Sequence, residues 1–416
     1  MAGEFESPRP RRRSGILGLV GVLVLAALAG AGLFALVSSD RAVGAGSGDA
    51  AEDLAPLVEL YESLNDQAVD GPDGDALIRG AIDGMLEELD DPYARYFPAG
   101  DFDEFSASLD GTFSGVGLLL EDTPEGPVIV SVFEGTPAAR AGIEEGERIV
   151  SVNGENVRDE PLENIASKVK GEAGTRVRLG LDGGGDGARE VEVTRAEFEV
   201  PVLTTEMLDG DVGYIDLRQF VDGAGAQVRE ATTALVDEGA SGIVLDLRNN
   251  PGGLLNEAID VASVFIEDGE IVRVEARGGS TETFEAVDDA FETIPLVVLV
   301  DDHSASASEI VAGAMQDAQR APIVGEPTFG KGTVQTIAQL PDGSGVKFTT
   351  ARYYTPSGDS IEGVGVAPDV EVEADEADET DETDGADGAA GVDGLEDDPQ
   401  VQAAIEELEA QVGAAR

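Results

Sequence analysis

Ser304 to Gln335 reads SASASEIVAGAMQDAQRAPIVGEPTFGKGTVQ, and both the architecture and the chemistry of the chain follow from it. It begins just after Leu296–Val300, five apolar residues that read as a buried strand, and Ser306 to Gln319 has helical spacing. A strand leading straight into a serine-rich helix start sets backbone N–H groups and a positive dipole end beside hydroxyls. One serine there is explained as an N-cap, but three exceed what one cap needs. Twenty-five residues beyond Ser306, Lys331 stands between Gly330 and Gly332, which allow close backbone approach. Buried without a carboxylate partner, such a lysine falls from ~10.4 toward neutrality and can serve a serine as base. The same spacing fits a turn lysine that reaches out to water, and the residues alone leave both readings open.

Outward from this stretch the chain alternates. Val212 to Phe220 reads as a strand, Ala224 to Glu238 as a helix, Gly242 to Leu247 as an apolar strand and Ala258 to Phe265 as a helix. This rhythm predicts a layered αβ core over 199–372. Residues 109–198 carry short strands and two helices, with Asn153-Gly154 as a hairpin turn. Residues 54–108 have helical apolar spacing as far as Leu89, and Asp91-Pro92 then ends the helix. Arg9, Arg11, Arg12 and Arg13 precede 23 uncharged residues, Gly15 to Val37, enough to cross a hydrocarbon layer roughly 30 Å thick. That places 1–14 in the cytoplasm, a transmembrane helix at 15–37, a flexible linker at 38–53 and the body outside the cell membrane. A cleavable signal peptide is the rival, with small residues at Ala26-Ala27-Leu28-Ala29, although the run exceeds the usual apolar length. Residues 373–398 read as an acidic disordered linker and 399–416 as a C-terminal helix.

Composition closes off several classes of function. With no cysteine there is no disulfide, thiolate metal site or Cys nucleophile. Acidic residues number 85 against 26 basic, a net charge of −59, which repels nucleic acid and makes it an unlikely partner. High ionic strength would screen so acidic a surface, and a salt-rich habitat is one explanation for it. The single histidine, His303, lies three residues before Ser306, too close in sequence for the usual nucleophile–base pair, and zinc sites needing two histidines are excluded.

Taken together, SASASEIVAGAMQDAQRAPIVGEPTFGKGTVQ, DLRNNPGG at Asp246–Gly253, DPYARYF at Asp91–Phe97 and FSGVG at Phe113–Gly117 resemble the C-terminal processing peptidases, or tail-specific proteases. The resemblance covers roughly residues 55 to 372. It implies a core related to crotonases and the Clp protease, with Ser306 as nucleophile, Lys331 as general base and Gln335 positioning the lysine. It also implies an oxyanion hole from the N–H groups of Gly252 and Ala307, while Asp317 matches an acidic position read here as structural. The segment 109–198 looks like a PDZ domain: Ser114-Gly115-Val116-Gly117 would bind a terminal carboxylate and Leu118-Leu119-Leu120 would pair with the peptide. Gly135-Thr136-Pro137 through Ile143 and Gly146-Glu147-Arg148-Ile149 continue that pattern in the PDZ order.

The fold expected is therefore mixed αβ: a transmembrane helix, a helical N-terminal region, a β-rich PDZ domain with two helices, and an αβ peptidase core. The function expected is an endopeptidase that takes protein or peptide substrates by apolar C-termini, with no metal and no cofactor. Rival readings are a membrane-anchored, non-catalytic PDZ scaffold and a hydrolase using His303. The helices before Leu89 and after Pro399 offer surfaces for pairing two copies of the chain.

Overall fold

The computed structural model describes residues 52–374, apart from 122, 124–125, 159, 184–187 and 288, together with 395–414. The expected anchor at 15–37 and most of the acidic linker lie outside the described residues. Among the described residues no helix is long and apolar enough to cross a membrane.

The helical spacing of Leu54–Leu89 resolves into two helices, α1 (Ala55–Gln67) and α2 (Gly74–Glu87). Gly71-Pro72 separates them, and Asp73 caps α2 by accepting the Asp75 N–H at 3.0 Å. Neither helix buries a residue. Next come β1 (Arg95–Phe97) and a helix not anticipated from sequence, α3 (Ala99–Leu109). Phe102, Phe105 and Leu109 fall on one face of α3 and bury with Phe97 and Leu254.

The second unit contains β2 (Thr112–Gly115), β3 (Leu118–Glu121), β4 (Val128–Val132), α4 (Pro137–Arg140), β5 (Arg148–Val152) and β6 (Glu155–Asn156). It continues with α5 (Leu162–Val169), β7 (Arg176–Asp182), β8 (Arg189–Thr194) and β9 (Ala196–Glu199). An antiparallel sheet runs β3-β4-β5-β7-β8, with β6 returning on β5 over Asn153-Gly154. Both turn residues have positive φ, as a tight hairpin requires. Leu162, Ile165 and Val169 of α5 close this sheet's core against Ile149, Val177 and Leu179. β2 pairs with β9 at the neck of the unit.

The third unit holds β10 (Leu203–Leu208), β11 (Val212–Leu217), α6 (Ala224–Glu238), β12 (Gly242–Asp246), α7 (Leu255–Phe265), β13 (Glu270–Ala276) and β14 (Ser280–Glu285). Then follow β15 (Leu296–Val300), α8 (Ala307–Asp317), β16 (Ile323–Gly325), β17 (Thr333–Gln339), β18 (Gly345–Tyr354), β19 (Val370–Glu371) and α9 (Pro399–Ala414). The main sheet has the order β10-β11-β12-β15-β16-β19, parallel except for β10. Its strands are covered on both faces. Ile215, Ile243, Leu245 and Val298 meet α6, α7 and α8 on one side, whereas Tyr214, Val244, Val297 and Leu299 meet Val401, Ala404 and Leu408 of α9 on the other. That two-sided burial is why these strands read as unbroken apolar runs. A second, antiparallel sheet joins β1, β18, β13 and β14, with β17 on β18.

Candidate active site

Ser306 sits at the end of a short turn out of β15, as the N-cap of α8, with φ 57° and ψ −108°. A non-glycine residue held there costs about 1–3 kcal/mol and persists only where its surroundings over-determine it. Those surroundings are plain. The Ser306 N–H donates to Glu309 Oε2 at 2.7 Å. The Ala305 N–H and the Ser308 hydroxyl both donate to the Asn250 carbonyl, at 3.0 and 2.9 Å. The Ser306 turn is thus fastened to the loop that follows β12.

Glu309, fully buried, joins this turn to the lysine. Its Oε2 also accepts the Lys331 N–H at 2.9 Å, and its Oε1 accepts the Gly330 N–H at 2.7 Å and the Thr328 hydroxyl at 2.6 Å. One carboxylate oxygen therefore holds the backbone nitrogens of both Ser306 and Lys331. Burial pushes the Glu309 carboxyl up, while four donors pull it back toward the charged form. Tyr353 makes a second clamp, since its hydroxyl donates to the Lys331 carbonyl and accepts from the Ser306 side chain. Sequence reading missed both residues. Ser306-x-x-Glu309 has capping-box spacing, which was a usable signal for Glu309; Tyr353 comes from a distant strand and left none.

Lys331 is 1% exposed. Its ammonium is pushed down to about 7, first by burial and then by the Lys347 charge; Glu309, Glu362 and Asp91 pull the other way. Its pocket wall includes the Tyr93 ring, whose centroid is 4.6 Å from Nζ. Gln335 lies on β17 rather than on a helical step from Lys331. Its amide nitrogen donates to the Thr333 and Thr349 hydroxyls at 2.9 and 3.3 Å, and its Oε1 is buried without a hydrogen-bond partner.

Gly252 lies directly against the Ser306 turn. With φ at 99°, an added Cβ would stand 2.6 Å from the Ala305 oxygen and 2.9 Å from both Ala307 N and Ser306 Cβ, so only glycine fits. Its N–H is occupied, donating to Asn250 Oδ1 at 2.9 Å. Ala307 is the first residue of α8, where N–H groups lack helical acceptors. A narrow cleft of about 10 Å³ beside Ser306 is lined by Gly253, Leu255, Ile310, Val334 and Tyr353.

Two candidates stand apart. Asp317, at the far end of α8, is exposed and accepts the Ser357 N–H at 2.8 Å, holding a surface turn. The side chain of His303 is 71% exposed and pairs with Asp302 at 2.6 Å.

In the second unit, Ser114 and Gly115 of the expected loop end β2, paired with Glu197 and Ala196 of β9, and beyond them the Val116 and Gly117 carbonyls accept from Ala138 N at 2.8 Å and Phe133 N at 3.3 Å. Gly117 has φ 83°, and a Cβ there would lie 2.3 Å from the Thr136 Cβ. β3 bonds only to β4 within its sheet, which leaves its other edge open beside α5.

Three family models match the chain. Peptidase family S41 covers residues 211–372, a PDZ domain 128–182, and the N-terminal domain of the activating protease CtpB 36–100. The carboxy-terminal processing protease CtpA of Bacillus subtilis is 36% identical over 85% of this chain and 76% of its own length. A CtpA-like serine protease of Staphylococcus saprophyticus is 34% identical over 86% of this chain and 72% of its own. A solved structure from Bacteroides fragilis, described as an S41 protease, has the same fold, with a TM-score of 0.51 at 17% identity over 79% of this chain and 88% of its own.

Proposed function

Since the chain belongs to peptidase family S41, with the carboxy-terminal processing proteases, and is a serine-type peptidase carrying a PDZ domain, we propose that Ser306 and Lys331 form its catalytic dyad and that the PDZ domain selects substrates by their C-terminal tails. The observation that carries this reading is the shared Glu309 oxygen, which ties the backbone of a strained serine to that of a buried lysine whose pKa is lowered to about 7.

In this reading an apolar C-terminus adds to the β3 edge, its carboxylate on the N–H groups of Ser114–Gly117. Neutral Lys331 takes the Ser306 proton as Oγ attacks the scissile carbonyl. The oxyanion rests on the N–H groups of Ala307 and Gly252, the latter turned away from Asn250. Lys331 then gives its proton to the leaving amine, an acyl-enzyme remains, and the lysine activates water to release it. No step calls on a metal or cofactor. Gln335 completes the lysine pocket through Thr333 and Thr349.

The apolar run Gly15–Val37 would anchor the enzyme as a single-pass protein of the cell membrane with its body extracytoplasmic. The exposed Leu57, Val58, Leu60, Ile78 and Met85 on α1 and α2 would pair two copies.

The test uses the full chain in detergent with an unfolded reporter ending in an apolar tail. Wild type and His303→Ala are expected to cut it, Ser306→Ala and Lys331→Ala to lose at least a thousandfold in rate, and amidation of the tail to slow wild type. Tail binding without cleavage by wild type would instead favour a PDZ scaffold. Equal cleavage of free and amidated tails would remove the tail-selection step.

A further inference from the structure

The Asp91–Phe97 segment, DPYARYF, belongs to the N-terminal region by sequence, yet it is built into the lysine pocket. β1 pairs antiparallel with β18, setting Arg95 opposite Lys347. Asp91 fastens the segment's start, since its Oδ2 accepts the Thr349 N–H at 2.7 Å and its Oδ1 accepts the Thr349 hydroxyl at 3.1 Å and the Tyr93 N–H at 3.0 Å. The same Thr349 hydroxyl receives Gln335 Nε2. Behind it Phe97 stacks on Phe105 with centroids 4.5 Å apart, and Phe102 packs against Gly345 so closely that a Cβ there would clash. The segment is thus held at both ends, and between them it places the half-buried Tyr93 ring over the Lys331 ammonium.

We propose that Tyr93 is a positioning residue for the general base: carried in by the Asp91–Thr349 clamp, its ring closes the Lys331 pocket against water. This rests on the dyad reading of Lys331. The ring acts on the lysine in two opposed ways. Its face attracts the cation, an effect that favours the protonated form. Its bulk excludes the water that would solvate that cation, which favours the neutral form. Burial is the largest cause of the lowered Lys331 pKa, and the Tyr93 ring, 4.6 Å from Nζ, forms part of what buries it. Other charged groups that act on the ammonium include Lys347 from β18, Glu309 from α8, Glu362 from the loop after β18 and Asp91 from the clamp itself. Tyr93 remains a neutral phenol, its pKa raised by burial and then by Glu362, Glu309 and Asp91. Removing the ring leaves all these charges in place and admits water.

The chain has only four lysines, so Lys331 can be titrated directly by ¹³C-lysine NMR of the full protein, beside the pH–rate profile. Tyr93→Ala is expected to raise the Lys331 pKa and the acid limb of the rate by about one pH unit, with roughly fivefold less activity at pH 7 that recovers near pH 9. Tyr93→Phe should behave as wild type. Tyr93→Leu, which keeps apolar bulk but no ring face, should leave the limb where it is or move it down. An unchanged Lys331 titration in Tyr93→Ala, or a faster enzyme at pH 7 without the ring, overturns the proposal. Survival of activity in Lys331→Ala would sink the dyad while the NMR shift still reported the pocket, so the two failures are distinguishable.

Discussion

Lys331 is the residue whose energetics matter most, because a lysine that is useful as a base is costly to the fold. Its folded pKa, about 7, lies below the unfolded value of ~10.4, so between these the unfolded chain binds more protons and stability rises with pH. The burial penalty is therefore full below pH 7 and fades as pH climbs toward 10. Lys331→Met, which fills the same space without charge, should be more stable than wild type at pH 6 by on the order of 3 kcal/mol. Urea unfolding at pH 6 and pH 9 checks this, and the gap should narrow at the higher pH. A variant no more stable at pH 6 would mean that the ammonium is well solvated in the fold. At this scale the sequence was legible where a residue's own neighbours carry the signal, as with three serines at a helix start or glycines about Lys331. It was silent on Tyr93 and Tyr353, whose roles arise from contacts across more than two hundred residues and across twenty-two, respectively. Asp317 and His303 engage other partners: Asp317 holds a surface turn at Ser357, and His303 pairs with Asp302.

At the scale of elements, α9 stands out because it returns from outside the continuous body to cover the back of the main sheet. Val401, Ala404 and Leu408 bury against Tyr214, Val244, Val297 and Leu299. Arg248, just before the Asn249–Gly253 loop, fixes the helix start through Asp398 at 2.6 Å and Gln400 at 2.9 Å while pairing with Asp246. The helix thus supports the strand end from which the Gly252 loop leaves. Leu408→Ala should cost about 2–4 kcal/mol in urea unfolding, as for other buried leucines. A cost under about 0.5 kcal/mol, the range of surface changes, would show that α9 only rests on the surface. The parallel strands were legible because burial on both faces makes them unbroken apolar runs. The hairpin β13–β14 was not: Ser280–Glu285 is mostly exposed, with no apolar face to mark it. α3 carries Phe102, Phe105 and Leu109 at helical spacing, but the short Asp-rich stretch hid the pattern until its partners on β1 and in the Gly252 loop were in view.

For the whole molecule, the balance of 85 acidic to 26 basic residues sets the solution behaviour. Few of the acids have partners close enough to neutralise them, and several of the ion pairs that form are half exposed and weak. Self-repulsion across such a surface falls as the screening length shrinks from about 10 Å at 0.1 M salt to about 3 Å at 1 M. The melting temperature should therefore rise between 0.1 and 1 M KCl by several degrees, with cleavage activity retained. A lower melting temperature in 1 M KCl would mean that attractive pairs outweigh repulsion.

The central claim is that buried, neutral Lys331 activates Ser306, and labelling of the serine by a fluorophosphonate probe tests it most directly. In wild type the labelling rate should rise through about pH 7, following deprotonation of Lys331. Ser306→Ala should not label, and Lys331→Ala should label at a small residual rate without that rise. Labelling of Lys331→Ala at the wild-type rate, with the same pH dependence, would contradict the account.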